Sequence, residues 1–196
     1  MIDKREIIEI ATATGLRPDV VEKDYVLGWM LWGIQGHPAL SANWIFKGGT
    51  CLKKCFFETY RFSEDLDFTL IDPAQIDAEF LSSAFAEIGE RIYEEAGIEI
   101  PPDVQKFDIY ENPRGKQSCQ GRIAYRGPVS PAGKDIPRIK LDLTADERVV
   151  LPGVQIPVFH PYSDEPDGGI AIQSYAYSLK RAGRLESERG RVIYTM

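Results

Sequence analysis

The first sustained apolar pattern opens at Arg17-Pro18-Asp19 and runs through Val20, Val21, Tyr25, Leu27, Trp29, Leu31 and Trp32. A proline near the start and mixed apolar spacing predict a mostly buried helix over 17–36, stopped by Gly36-His37-Pro38. Trp44-Ile45-Phe46 is a short apolar run that ends in Lys47-Gly48-Gly49-Thr50. Thr50 suits the N-cap of a short helix from Cys51 to Phe57. From Arg61 to Leu70, Phe62, Leu66, Phe68 and Leu70 fall in period-two alternation, which predicts a strand. Asp72-Pro73 then opens a helix over 74–95, with Ile76, Phe80, Leu81, Phe85, Ile88 and Ile92 along one face. After Gly97 the pattern returns to strands, expected over 105–111, 120–126 and 137–144 and separated by turns containing Pro and Gly. The proline-bearing stretch Val149–Phe159 reads as edge strand or loop, 161–169 as a loop, and 170–176 as a short strand. Helices placed before and within a mixed β-sheet give an α+β class.

The alternation has a chemical consequence. On a strand, residues i and i+2 share a face, so Asp65 and Asp67 project together while Leu66 and Phe68 point into the core. Two adjacent carboxylates repel, and burying them without a partner is costly. A divalent cation with a preference for hard oxygen ligands, Mg²⁺ above all, resolves the conflict. The segment Arg138-Ile139-Lys140-Leu141-Asp142-Leu143 alternates in the same way and places Lys140 and Asp142 on one face. If that strand lies beside the Asp65–Asp67 strand, three carboxylates converge, as a two-metal phosphoryl or nucleotidyl transfer site requires. Separated from Asp65 by fourteen residues, the Gly48-Gly49-Thr50 turn supplies the complement. Glycines let backbone N–H groups approach a phosphate, and a following helix N-terminus favours negative charge. Thr50 adds a hydroxyl donor, Lys47, Arg61 and Lys140 are candidate cations, and Ser63 shares the strand face of Asp65.

The expected site is therefore Asp65, Asp67 and Asp142 as catalytic and metal-binding residues. Lys47, Gly48, Gly49, Thr50, Arg61, Ser63 and Lys140 are expected to hold the nucleotide. Each element alone has an ordinary structural meaning; their order and shared phasing carry the reading. A glycosyltransferase using a DxD motif, Mn²⁺ and a nucleotide sugar is the competing enzyme. It gives no reason for a Gly-Gly-Thr turn ahead of the DxD, nor for a third carboxylate on a later strand.

Composition adds limits. A 196-residue chain with 43% hydrophobic and 27% charged residues is ordinary for a globular protein. No apolar run is long enough to span a membrane and the N-terminus lacks a signal-peptide core, so a cytoplasmic protein is expected. The three cysteines, Cys51, Cys55 and Cys119, lack CxxC spacing and read as reduced thiols. The net charge of −7 argues against a protein that coats nucleic acid by charge alone. It leaves room for an enzyme that touches RNA through one local basic surface. His37 and His160 have no partner spacing for a triad or zinc site and read as structural or surface residues. Glu22, Lys23 and Asp24 read as an exposed helix face.

Lys47-Gly48-Gly49-Thr50 followed by Arg61-Phe62-Ser63-Glu64-Asp65-Leu66-Asp67-Phe68 closely resembles the AbiEii/AbiGii toxin-like nucleotidyltransferases. Val21-Glu22-Lys23-Asp24-Tyr25 is similar to the segment ahead of that family's core, and the resemblance spans about residues 20–145. It implies a polymerase-β-type nucleotidyltransferase fold and an enzyme that consumes an NTP with two Mg²⁺ ions, Mn²⁺ being an alternative. It further implies the toxin of a toxin–antitoxin or abortive-infection system, with tRNA or protein as acceptor and a cognate antitoxin as partner. For Glu22, Lys23 and Asp24 the resemblance implies a site-supporting role.

The chain departs from the family pattern at its end. Family members continue with a helix resembling A-E-K-x-x-A and then R-D-L-Y-D, and neither occurs after Ala176. Residues 1–176 are therefore read as the nucleotidyltransferase core and 177–196 as an atypical tail, frame-shifted and disordered or non-native. The genetic code supports that reading. Taking the third base of each codon with the first two of the next, from Tyr177 onward, permits (F/L)-A-E-K-(S/G)-R-A-L-(G/R)-E-R-A-R-P-R-D-L-Y-D. Both missing motifs lie in it, in order. The alternative function is then a truncated, catalytically weak or inactive domain that binds a nucleotide or a partner. Sequencing the encoding DNA is expected to show those motifs in the shifted frame; their absence there ends the frame-shift reading.

Overall fold

The structure is a computed structural model and describes residues 1–57, 64–130, 136–147 and 149–175. Its first helix, α1 (Lys4–Thr14), has no counterpart among the predicted elements. Only Ile7 and Ala11 of it are buried, an apolar stripe too thin to register as periodicity. Its ends carry the local signals instead. Asp3 accepts the Arg5 N–H at 2.7 Å, and Gly15 closes the helix in the left-handed conformation. The expected buried helix is α2 (Pro18–Gly36), and a one-turn helix, α3 (Pro38–Ser41), follows the stop at His37. From Tyr25 to Leu31 every residue of α2 is buried, which accounts for the mixed spacing of its apolar positions.

Strand β1 (Trp44–Lys47) runs directly into α4 (Gly48–Cys55). This corrects the expected N-cap at Thr50: the helix begins three residues earlier, with Lys47 at the cap position and no side-chain capping bond. Thr50 is fully buried, and its hydroxyl donates at 2.5 Å to the Asp65 carbonyl rather than holding a helix end. Strand β2 (Asp65–Leu70) follows. The predicted start of that strand at Arg61, including Ser63, lies outside the described residues. The long helix α5 (Ala78–Ala96) begins later than expected, because Asp77 accepts the Phe80 N–H at 2.8 Å and sets the cap there. Pro73–Gln75 forms a separate 3₁₀ turn. Leu81, Phe85, Ile88 and Ile92 form the buried stripe of α5, as their spacing predicts.

Strands β3 (Lys106–Glu111) and β4 (Gln117–Ala124) make a hairpin pairing Glu111 with Gln117, so β4 begins three residues before its predicted start. Then come β5 (Arg138–Thr144), β6 (Val154–Pro157) and β7 (Ala171–Ser174). The seven strands form one mixed sheet in the order β3-β4-β5-β2-β1-β7-β6, with β6 at an edge. Strands β2 and β5 are parallel, whereas β1–β2, β3–β4, β4–β5 and β6–β7 are antiparallel. The α+β class with a mixed sheet is therefore the observed one. The core lies between the helices and one face of the sheet, where Trp44, Phe46, Phe68 and Phe85 pack ring against ring. Among the described residues no helix is long and apolar enough to cross a membrane.

The segment Glu22-Lys23-Asp24 is not the exposed face its composition suggests. Glu22 and Asp24 are buried. Glu22 accepts the backbone N–H groups of Val129 and Ser130 and the Ser130 hydroxyl. Lys23 holds Glu64, the residue before β2, at 2.5 Å. Asp24 binds the ammonium groups of Lys53 at 2.6 Å and Lys54 at 2.8 Å, both on α4, and accepts the Tyr162 hydroxyl at 3.0 Å. Three consecutive residues of α2 thus tie down α4, the entry to β2 and the loop after β4. Burial opposes the charge on Asp24, but the two lysines outweigh it and hold the carboxyl down at about 2.

Removing one partner of a buried ion pair leaves uncompensated charge. Asp24→Ala is expected to cost about 3–5 kcal/mol in urea unfolding at pH 7. Because the folded carboxyl titrates below its unfolded value, this stabilisation is complete above about pH 5 and fades as the pH falls toward 2. The deficit of the variant should shrink over the same range. A deficit independent of pH would contradict the assignment.

Candidate active site

The sheet register assembles the acidic residues. Strands β2 and β5 run side by side with Asp65 opposite Lys140 and Asp67 opposite Asp142. Directly paired residues share a face, so the carboxylates of Asp67 and Asp142 are neighbours and Asp65 stands one step along the same face. Leu66, Phe68, Leu141 and Leu143 point the other way and are buried. The apolar half of each strand therefore fixes the direction of its acidic half: a one-residue slip would put the carboxylates in the core.

On the other side of β2, Lys47 of β1 pairs with Asp67. The chain then turns at Gly48, which has φ +80°. A Cβ at this position would stand 2.0 Å from Asp67 Oδ2. Both the backbone conformation and the close approach of the carboxylate require glycine here. Gly49 carries on into the first turn of α4, so the diglycine turn and a helix N-terminus lie against the Asp67 side chain.

The electrostatics follow from this crowding. Burial first, then the charges of Asp142 and Asp65, push the Asp67 carboxyl up to about 6 against the opposing pull of Lys47 and Lys140. Lys140 lies within the cluster, its Nζ 2.5 Å from Asp142 Oδ2, while Gln120 of β4 donates to Asp142 Oδ1 at 3.4 Å. Lys47 is held at 2.7 Å by Glu147, which also accepts the hydroxyls of Thr69 at 2.7 Å and Tyr175 at 3.3 Å.

The structure thus brings together Asp65, Asp67, Asp142, Lys47, Gly48, Gly49, Thr50 and Lys140. Arg61 and Ser63 lie outside the described residues, as does the tail from 176 onward. Glu147, Gln120 and Glu64 are additions. Glu147 lies beyond the end of β5 in an irregular segment, so no periodicity marks it; only its place five residues after Asp142 could have drawn attention.

The donor set suits a hard divalent cation: three carboxylates, one of them held in a setting that opposes its charge. Among the described residues, no three His, Cys, Asp or Glu side chains are gathered closely enough to enclose an ion as they stand. With Lys140 on Asp142 Oδ2, closing the carboxylates around an ion requires that ammonium to swing away.

Other candidate ligands have structural roles. His160 is buried among the rings of Tyr25, Trp29 and Tyr162, with its Nδ1 against Gly28. His37 is buried with Nε2 3.5 Å from Glu87. Cys51 and Cys119 are buried, Cys55 is half-buried, and all three are free thiols.

The model of the family described as "Nucleotidyl transferase AbiEii toxin, Type IV TA system" matches residues 31–181. Among solved structures, the chain is similar to MenT4, a nucleotidyltransferase toxin from Mycobacterium tuberculosis H37Rv, at 18% identity and a TM-score of 0.49. That likeness covers 95% of this chain and 59% of the MenT4 chain, so the chain spans little more than half of that relative's length. No curated protein matches it.

The raised carboxyl of Asp67 gives a test that needs no substrate. A group whose folded value lies above its unfolded one costs stability as the pH rises between the two, here from about 4 to about 6. Asp67→Asn is therefore expected to stabilise the metal-free protein at pH 8, by on the order of 1 kcal/mol after allowance for partial solvent screening. At pH 4.5 the gain should be far smaller. Thermal unfolding in EDTA at both pH values measures it; an equal or negative effect at pH 8 would contradict the crowding of the three carboxylates.

Proposed function

The chain belongs to the AbiEii nucleotidyltransferase toxin family, and from that premise we propose that it transfers a nucleotide from an NTP to an acceptor hydroxyl or phosphate. The acceptor is carried on RNA, tRNA included, or on protein. The observation that carries this reading is the pairing of Asp67 with Asp142 on parallel strands, beside a Gly48 turn that leaves room for the carboxylate.

In this reading Asp65 and Asp67 hold two Mg²⁺ ions, Mn²⁺ serving as a substitute, and Asp142 completes one of the two sites. Bound there, the ions supply Lewis-acid stabilisation of the charge that builds on the transferring phosphoryl group and on pyrophosphate. The backbone N–H groups at Gly48 and Gly49, at the start of α4, receive the triphosphate. Lys47 and Lys140 offset its charge once the nucleotide competes with Glu147 and Asp142 for them. Asp142 accepts the proton of the attacking hydroxyl in this reading. A bond forms from the acceptor oxygen to the α-phosphorus, the α–β phosphoanhydride bond breaks, and pyrophosphate leaves. Thr50, through its hydroxyl on the Asp65 carbonyl, keeps the turn and β2 in one frame. The biological role that fits is the toxin of a toxin–antitoxin pair, with a cognate antitoxin as its partner.

With the four α-³²P-labelled NTPs tried in turn, incubated with Mg²⁺, the chain and either bulk RNA or protein extract, at least one is expected to label an acceptor and release pyrophosphate. Asp142→Asn should lower that rate at least about 10²-fold. Turnover of nucleotide sugars with no release of pyrophosphate from any NTP would overturn the reading. Mg²⁺-dependent NTP binding without pyrophosphate release would instead favour the alternative of an inactive nucleotide-binding domain.

A further inference from the structure

The same register that joins the carboxylates also aligns cations. Lys106 of β3 pairs with Arg122 of β4, Arg122 pairs with Lys140 of β5, and Lys140 pairs with Asp65 of β2. Four neighbouring strands thus contribute one row, Lys106–Arg122–Lys140–Asp65, which crosses the sheet over roughly 14 Å at the usual strand spacing and ends at the acidic cluster. The row faces solvent. Lys106 and Arg122 are exposed, while the residues that follow them, Phe107 and Ile123, turn toward the core.

Further residues of the same face extend the pattern. Arg138, two residues before Lys140, is exposed and adds a fourth cation. Tyr110, four residues along β3 from Lys106 and on the same face, is 48% exposed. Outside the three site carboxylates, the one acidic residue these strand positions contribute is Asp108, 3.7 Å from Arg122. Both side chains of that contact are open to water, so it holds Arg122 only weakly. Outside the site carboxylates, this strip of the sheet therefore sets four cations and an exposed aromatic ring against one acid, on a chain of net charge −7.

The sheet order assigns the two flanks of the carboxylates different neighbours. The diglycine turn adjoins β1 on one flank of β2, and β5, β4 and β3 extend from the other. On the transferase reading, which this inference rests on, the triphosphate occupies the β1 flank. We propose that the open face of β3–β4–β5 is the acceptor platform. A single-stranded RNA segment would lie across it with its phosphodiester groups on Lys106 and Arg122, a base on Tyr110, and its reacting end delivered to Asp142. Cations that follow the backbone and an aromatic ring that accepts a base are the two elements of sequence-tolerant single-strand binding. An acidic protein segment would use the cations and leave the ring without a role.

The test reverses the charge of the row outside the site, with Lys106→Glu and Arg122→Glu combined in the full chain. The control variant carries Lys4→Glu and Arg5→Glu, exposed on α1, which changes the net charge by the same amount. The probe is a fluorescein-labelled single-stranded RNA twelve-mer, followed by anisotropy over a range of salt concentrations without NTP. A labelled polyglutamate peptide is the second probe, and circular dichroism melts check that both variants fold. Wild type and control are expected to bind the RNA, with the row variant at least about ten-fold weaker. Its plot of log K against log salt should be shallower by about 1.4, as two lost phosphate contacts imply. Unchanged RNA affinity in the row variant, an equal loss in the control, absence of RNA binding by wild type, or preference for polyglutamate would each overturn the proposal. Mg²⁺-dependent NTP binding, measured on the same samples, should be the same in all three proteins. If wild type lacks it, the transferase reading fails on its own account, separately from the RNA result.

Discussion

The structure is organised around a repulsion. Asp65, Asp67 and Asp142 sit where like charges crowd each other, and a fold tolerates that only if other interactions over-determine the positions. Here the apolar halves of β2 and β5 do so. Leu66, Phe68, Leu141 and Leu143 lock the register from below, and no slip can relieve the acids without exposing the core. Around the cluster, every compensating group is drawn from a different segment: Lys140 from β5, Lys47 from β1, and the glycine turn from the start of α4. The stability lost in the cluster is a poor bargain for a purely structural protein and a reasonable one for a site that binds cations and phosphate.

A second layer keeps these segments in place. The Glu22-Lys23-Asp24 run reaches from α2 to the helix behind the turn, to the residue before Asp65, and to the loop that follows β4. The parts that would meet a nucleotide are short and irregular, while the element that anchors them is a helix buried at every residue from Tyr25 to Leu31. Precise sites are commonly built in this way, with reactive groups on turns and strand ends and their supports locked by packing.

The sequence made the site more legible than the frame around it. Period-two alternation exposed Asp65, Asp67 and Asp142 because one side of each strand is wholly apolar; that β5 lies beside β2 and sets Asp142 against Asp67 is supplied by the sheet order, which the phasing left open. Helix α1 was illegible because two buried residues cannot make a period. Thr50 looked like a cap because its residue type suits one, yet its hydroxyl is taken by a carbonyl 15 positions later in the chain, a long-range bond that no local pattern encodes. The same limit hid Glu147, whose value lies in reaching Lys47 and Thr69 across the sheet. Charged residues in α2 looked solvated because their partners, Lys53, Lys54 and Glu64, are supplied by the fold and not by neighbouring positions.

A cation site formed jointly by two strands is open to direct test by anomalous diffraction. Crystals grown with Mn²⁺ and a non-hydrolysable NTP should show anomalous peaks between the triphosphate and the carboxylates of Asp65, Asp67 and Asp142, with metal–oxygen distances of roughly 2.2 Å. Peaks elsewhere, or a metal held by the Asp65–Asp67 pair with Asp142 still bound to Lys140, would contradict it.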